Sequence, residues 1–405
     1  MGRREFRCES WDFRLNDDHR MRRHARAWRG MPIALIEVVN PLIEVNRQGQ
    51  SVWLDNISRS LILSGGLQRL VEQDGISGVT SNPTIFAKAL TGTAEYDDSI
   101  EHITRRQPDI THAALAERLV IEDIQMAADM LRPVFDRTQG GDGFVSVEVS
   151  PGTANDTEAT IAEARRLWFE AERLNVMIKV PATAAGIQAI ERLTAQGINV
   201  NITLMFSLEH YEAVAQAYLR ASSSRHGRSH VASVASIFVS RLDAAVDPIL
   251  DRIATPAARR LRGRVALANA RRIYRCFRDI FHGPRFVDLR RHGTRIQRPL
   301  WASTGTKDPT YSDVLYVEQL VAPDTITTVP PATLDAFRDH GTAQAAIESS
   351  AAEDDATLAA AAALGIDLHT ITEQLQRDGI AAFARSYNEL LDVIAEQRPA
   401  SGTRR

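Results

Sequence analysis

Short apolar runs recur along the chain, separated by longer stretches whose apolar residues fall at helical spacing. The runs are "SVWLD" at 51–55, "GISGVTSNP" at 75–83, "GFVSVEVSP" at 143–151, "NVMIKVPAT" at 175–183, "INVNITLMFS" at 198–207, "HVASVASIFVSR" at 230–241, "RPLWASTGT" at 298–306 and "TITTVPP" at 325–331. Their length and their Gly, Pro, Asn and Ser punctuation predict strands. Intervening segments such as 157–173, "TEATIAEARRLWFEAER", and 208–221, "LEHYEAVAQAYLRA", carry helical periodicity. Strand and helix alternating through eight candidate strands favours a closed (β/α)8 barrel over an open doubly wound sheet. The long connections 84–142 and 242–297 are expected to hold additional helices, and the alanine-rich stretch 343–396 reads as helices that close the chain as a lid or a brace.

No Pro/Gly linker calls for a second domain. Residues 1–30 are rich in arginine but carry Glu5, Glu9, Asp12, Asp17 and Asp18 and lack an apolar core, so they are neither a signal peptide nor a transit peptide. They are assigned to a disordered N-terminal extension, 31–398 to a single (β/α)8 domain, and 399–405 to a C-terminal tail.

Composition narrows the function classes. The 405 residues are 44% hydrophobic and 24% charged, with a formal net charge of −3, which is ordinary globular composition. A nearly balanced charge provides no broad basic field, so nucleic acid is not expected as a partner. Cys8 and Cys276 form neither a CxxC pair nor a disulfide framework, which fits a reducing cytoplasm. No apolar run is long enough to span a membrane.

In a (β/α)8 barrel the C-terminal ends of the strands converge on one mouth, where active sites lie. The polar residues at those ends are Asp55, Thr80, Ser81, Asn82, Glu148, Lys179, Asn201, Thr203, Ser236, Arg241, Ser303 and Lys307. Lys179 is the unusual one, a lysine inside an otherwise apolar run. Such a lysine can pack its stem and send its ammonium to water; it can also be an amine nucleophile that forms a Schiff base with a carbonyl. A free amine with a pKa near about 10.4 is protonated at neutral pH, and lowering that value by roughly three units takes about 4 kcal/mol of environment.

Two carboxylates at the same mouth oppose that lowering, so they need another task. Imine formation supplies one: Glu148 with Thr203 can hold a water that moves protons during carbinolamine formation and dehydration, and Asp55 can take a proton from a substrate hydroxyl as a carbon–carbon bond breaks. The structural alternatives are an ion pair between Glu148 and Lys179 across the sheet, and a helix cap by Asp55 ahead of "NISRSLI".

The ordered series "SVWLDNISR", "GVTSNPTIFAKAL", "VSVEVSP", "IKVPATAAGIQAI", "GINVNITLMFS", "ASIFVSRLD" and "RPLWASTGTKDP" resembles the transaldolase family, in its longer bacterial branch, from about residue 38 to about 395. The resemblance implies a (β/α)8 enzyme of the pentose phosphate pathway without metal or organic cofactor. Such an enzyme moves a dihydroxyacetone unit between sedoheptulose 7-phosphate or fructose 6-phosphate and an aldose phosphate, either glyceraldehyde 3-phosphate or erythrose 4-phosphate. It implies Lys179 as the Schiff-base lysine, Asp55 as acid/base, Glu148 as the water-activating acid and Thr203 as its partner. Thr80, Ser81, Asn82, Asn201 and Ser236 fall around the donor, and Arg241 falls on a phosphate-binding arginine.

Lys307 stands where shorter branches have arginine at a second phosphate site; it can hold phosphate as a point charge but not bidentately. Phe238 favours transfer, because a tyrosine there would resemble the aldolase branch that releases the three-carbon unit free. Oligomeric state is open between monomer and homodimer.

Other motifs carry little. His226 and His230 lie four apart in a polar loop, "GGDGF" at 140–144 reads as a turn into the third strand, and "TKDP" lacks the glycines of a P-loop. Free aldol cleavage and sugar-phosphate binding without catalysis are the competing functions; the second would tolerate loss of Asp55, Glu148 or Lys179, all of which are present.

Overall fold

The computed structural model describes residues 40–224, 231–347 and 351–397. Its parallel strands are β1 (Gln50–Leu54), β2 (Ile76–Thr80), β3 (Phe144–Glu148), β4 (Val176–Pro181), β5 (Val200–Met205), β6 (Ser233–Phe238), β7 (Gln297–Ala302) and β8 (Thr325–Val329). Each pairs with the next, and β8 pairs back to β1, so the sheet closes as the (β/α)8 barrel that the alternation predicts.

Outward residues such as Val79, Val147, Ile178 and Ile202 join the large core against the helices. Inward residues Trp53, Phe144, Met177, Val234, Leu300 and Ile326 fill the barrel. Strands buried on both faces need apolar residues at successive positions, which explains why the strand segments read as runs rather than as alternations. Trp53 fits inside because its neighbour is Gly78, where a Cβ would stand 2.4 Å from the indole.

The predicted strand spans run too far at their C-terminal ends. Asp55, Ser81, Asn82, Arg241, Ser303 and Lys307 stand beyond the last ladder residue, Arg241 already in the helix Ser240–Ile253. Pro330 and Pro331 leave β8 to begin the helix Pro331–His340. Polar loop residues that follow an apolar run without a break cannot be separated from it by pattern, whereas the backbone ladder ends where the neighbouring strand stops pairing.

Each long connection holds additional helices. Pro83–Leu90, Asp97–Arg106 and His112–Arg137 occupy the first; the second carries Ser240–Ile253, Pro256–Arg259, Val265–Phe281 and Pro284–Arg291. The alanine-rich stretch forms Ala351–Ala363 and Leu368–Gln397. This last helix crosses the C-terminal ends of β4 and β5, where Gln376 donates to the carbonyls of Ala182 at 3.0 Å and Leu204 at 3.1 Å. Gly379 lets it approach, since a Cβ there would lie 2.8 Å from Leu204 Cδ2. Thr84 to Ser386 at 2.7 Å and Gln397 to the Leu90 carbonyl at 2.6 Å tie it to the helix Pro83–Leu90.

No helix among the described residues is long and apolar enough to cross a membrane. The extension 1–30, the tail 399–405, Cys8, His226 and His230 lie outside the described residues.

Candidate active site

Lys179 is the inward residue one turn of the pleat above Met177, and its register partners are Glu148 on β3 and Asn201 on β5. Its side chain is 6% exposed, yet Nζ donates to the Ser81 carbonyl at 3.2 Å and lies 3.6 Å from Glu148 Oε2. The Phe383 ring of the last helix stands 5.8 Å away. The amine therefore points into the mouth and does not snorkel to bulk water.

Glu148 is the other buried charge. Its side chain is 3% exposed, and neither carboxylate oxygen accepts a hydrogen bond among the described residues. A separation of 3.6 Å is an ion-pair contact and too long for a hydrogen bond. Burial pushes the Glu148 carboxyl up to about 7, with Lys179 opposing, Asp55 adding and Arg241 opposing. Thr203 Oγ1 is likewise buried without a partner. Buried polar atoms left open in this way are uncommon in a folded chain and are held at a cost where chemistry needs them.

Asp55 follows β1 and accepts from Thr80 Oγ1 at 2.8 Å. It caps no helix: Ser58 does that for Arg59–Leu63. The mouth cavity, about 300 Å³, is lined by Lys179, Asp55, Thr203, Ser236, Arg241 and Lys307 among others. Arg241 stacks at 5.1 Å on Phe238, whose ring packs at 5.4 Å on Phe206. Burial lowers the pKa of the Arg241 guanidinium, with Asp55 and Glu148 opposing; Lys307, more exposed at the rim, is lowered by partial burial and by Arg241. Neither cation forms an ion pair among the described residues, and both line the cavity with Asp55.

Not every expected residue reaches the cavity surface. The Ser81 hydroxyl is buried and donates to the Ser146 carbonyl at 2.7 Å, and Ser81 meets the site through its own carbonyl on Lys179. Asn201 lies fully buried in a chain, its amide donating to Ser146 Oγ at 2.9 Å and its carbonyl accepting from Ser236 Oγ at 2.7 Å. Asn82 caps Pro83–Leu90 through Ile85 N at 3.1 Å while lining the mouth. Thr80, Ser236 and Phe238 also line it.

Among the lining residues that escaped sequence reasoning are Lys88 and Thr84 from the helix after β2, and Phe383 from the last helix. Lys88 stands inside "TSNPTIFAKAL", one turn of helix past the recognisable residues, where its side chain can point back toward the strand ends. Phe383 had no signal, being one apolar residue in a long amphipathic helix.

Two residues at the mouth hold strained backbones. Leu204, directly after Thr203, has φ +58°, and Ser303, after β7, has φ +56°. Left-handed conformations of this kind at non-glycine residues cost about 1–3 kcal/mol each and gather at functional sites. At Leu204 the turn breaks the β5–β6 register between Ile202 and Met205 and frees the carbonyl that Gln376 caps.

Known proteins resemble this chain over most of its length. A family model described as "Transaldolase/Fructose-6-phosphate aldolase" matches residues 52–394. A protein named transaldolase from Thermobifida fusca (strain YX) is 47% identical over 367 residues, covering 89% of this chain and 99% of its own length. Transaldolases from Parafrankia sp. (strain EAN1pec) and Thiobacillus denitrificans are similar too, at 46% and 45% identity over 88% and 87% of this chain and 98% of each relative.

Proposed function

The chain belongs to the transaldolase/fructose-6-phosphate aldolase family as an enzyme of transaldolase type, and we propose that it transfers a dihydroxyacetone unit between sugar phosphates through an imine on Lys179. The observation that carries this reading is the buried Lys179 amine, 3.6 Å from a Glu148 carboxylate whose oxygens accept no hydrogen bond among the described residues, at a mouth lined by Asp55, Arg241 and Lys307.

Lys179 Nζ attacks the ketose carbonyl carbon, and the carbinolamine loses water as Glu148 gives a proton to the departing hydroxyl. A carboxyl that titrates near 7 suits this, because it can serve as acid in one step and base in the reverse one. Thr203 Oγ1 and the Glu148 oxygens, without hydrogen-bond partners among the described residues, are suited to hold the water that passes the proton. Asp55 then takes the proton of the hydroxyl on the far carbon of the bond that breaks, that carbon becomes the aldehyde of the departing aldose, and the electron pair of the broken bond is held in the enamine. An acceptor aldehyde adds by the reverse sequence.

Arg241 and Lys307, with Lys88 at the rim, supply positive charge for the substrate phosphate. Phe238, stacked under Arg241, gives the enamine an apolar wall with no hydroxyl to protonate it, which supports transfer over release of a free three-carbon product.

The test is borohydride reduction with fructose 6-phosphate followed by peptide mass mapping. A reduced three-carbon adduct on Lys179, absent from Lys179→Ala and discharged by erythrose 4-phosphate added before reduction, is the expected result. No adduct on a folded protein that binds the sugar phosphate would overturn the imine. Steady release of free dihydroxyacetone without an acceptor would move the chain to the aldolase reaction.

A further inference from the structure

Glu148 stands between two cavities. On one side it meets Lys179, which lines the mouth; on the other it lines a separate cavity of about 50 Å³ in the barrel wall, shared with Asn82, Ser150, Glu163, Glu117 and Tyr387. Roughly 10–15 Å³ of such volume is enough for one water, so this cavity has room for more than one.

We propose that Glu148 exchanges its proton with solvent through this wall cavity, independently of the mouth, and that Tyr387 and Glu163 are the positioning residues that carry the exchange. The proposal rests on the acid/base role given to Glu148 above. The carboxylate needs a partner, since it is buried and both its oxygens lack one among the described residues. The mouth is a poor supplier during turnover: bound ketose occupies it, and Phe383 and Gln376 of the last helix lie over the ends of β4 and β5.

Three half-buried groups able to pass a proton, Glu163, Tyr387 and Glu117, line the wall cavity. Glu163 is fixed by the Ser150 amide at 3.0 Å and by Thr153 Oγ1 at 3.4 Å. The half-buried Tyr387 hydroxyl stays protonated, its pKa raised by burial and by the carboxylates of Glu163 and Glu117. Glu117, at the outer end, pairs at 2.7 Å with the exposed Arg166.

The proton count balances. When Glu148 donates to the hydroxyl that leaves as water, a cavity water gives it a proton and takes one from the Tyr387 hydroxyl, which takes one from water on the Glu163 side. Imine hydrolysis runs the same chain backward, and no net proton is consumed per cycle. The last helix, which brings both Phe383 to the mouth and Tyr387 to the wall, thereby closes one water path while completing the other.

The experiment compares Tyr387→Phe and Glu163→Gln with the parent, measuring kcat and KM in H2O and D2O across pH with fructose 6-phosphate and erythrose 4-phosphate. Both variants keep the shape of the side chain they replace. Expected are a fall in kcat of about tenfold, less than the roughly 10²–10⁴-fold that an acid or base at the reacting atoms contributes, an unchanged KM, a larger solvent isotope effect, and a borohydride adduct still formed on Lys179. Unchanged kcat in both variants, or a lower kcat with the parent's isotope effect, overturns the relay. A parent that traps no adduct would defeat the imine reading itself, which is a different failure.

Discussion

Two carboxylates in the barrel, Asp142 at the foot and Glu148 at the mouth, are buried in opposite ways. At the foot, Asp142 accepts from Ser51 Oγ, from Trp53 Nε1 at 2.7 Å and from the Gly143 amide at 3.0 Å, with Arg298 at 3.6 Å. Arg298 in turn donates to Ser51 Oγ at 2.7 Å and to the Thr325 carbonyl. At the mouth, the Glu148 oxygens and Thr203 Oγ1 have no such partners among the described residues. The same strands feed both ends, so fold alone does not dictate the difference. A saturated polar cluster locks structure, whereas an open one is a standing cost tolerated for what it does.

The largest effect that would sharpen this contrast is at Lys179, the proposed nucleophile. Lys179→Met is expected to lower kcat by roughly 10⁴-fold or more, as loss of a covalent nucleophile does, with the fold intact by circular dichroism. Retention of more than a few per cent of activity would remove the mouth's claim to chemistry.

At the foot the outcome reverses. Asp142→Ala leaves the Trp53 indole donor and the Arg298 charge without their buried acceptor, and truncating one member of a buried ionic cluster costs about 3–5 kcal/mol. The urea midpoint should drop accordingly while kcat per folded molecule stays at the parent value. A kcat that falls with the midpoint would mean that the two ends are not separable.

How much of this was legible in the chain depends on distance along the sequence. Val, Ile and Leu runs bounded by Gly and Pro exposed all eight strands, because burial on both faces leaves an unbroken apolar signature. Lys179, Glu148 and Asp55 were legible as polar residues where such runs end. Two things were not. Ser81 and Asn201 were counted with the substrate-facing group, although their side chains are bonded beneath the mouth, since strand-end position does not say which polar atoms are already satisfied. Phe383 and Tyr387 come from a helix some two hundred residues away from Lys179, and nothing local in that helix says which strand ends it crosses.

The open state of Glu148 has a thermodynamic signature of intermediate size. A carboxyl whose folded pKa is raised from 4.5 to about 7 keeps its proton in the folded chain where the unfolded chain has lost it. Stability therefore falls as pH rises through that window and levels off above it, by an amount on the order of 3 kcal/mol. Glu148→Gln cannot ionise and should flatten the fall measured by urea titration between pH 4.5 and 8, while lowering kcat. Asp243, also pushed up to about 7 by burial, contributes a slope of the same sign that remains in the variant. An unchanged slope in Glu148→Gln would place the buried-charge cost elsewhere than the mouth.

The smallest effect separates charge that binds from charge that reacts. Lys88 lines the mouth with Arg241 and Lys307 and sits exposed on the last turn of Pro83–Leu90, a position that suits contact with a phosphate. A charge-assisted contact at such a partly solvated rim contributes roughly 1.5 kcal/mol, about a tenfold change in affinity. Lys88→Met should therefore raise KM for erythrose 4-phosphate or fructose 6-phosphate about that much, leave kcat in place, and leave KM for unphosphorylated glyceraldehyde as acceptor unaltered. A rise in both acceptors' KM would make Lys88 a brace for its helix instead of a phosphate ligand. A fall in kcat with KM constant would draw it into the reacting group, and the division of the mouth into a reactive centre and a binding rim would have to be redrawn.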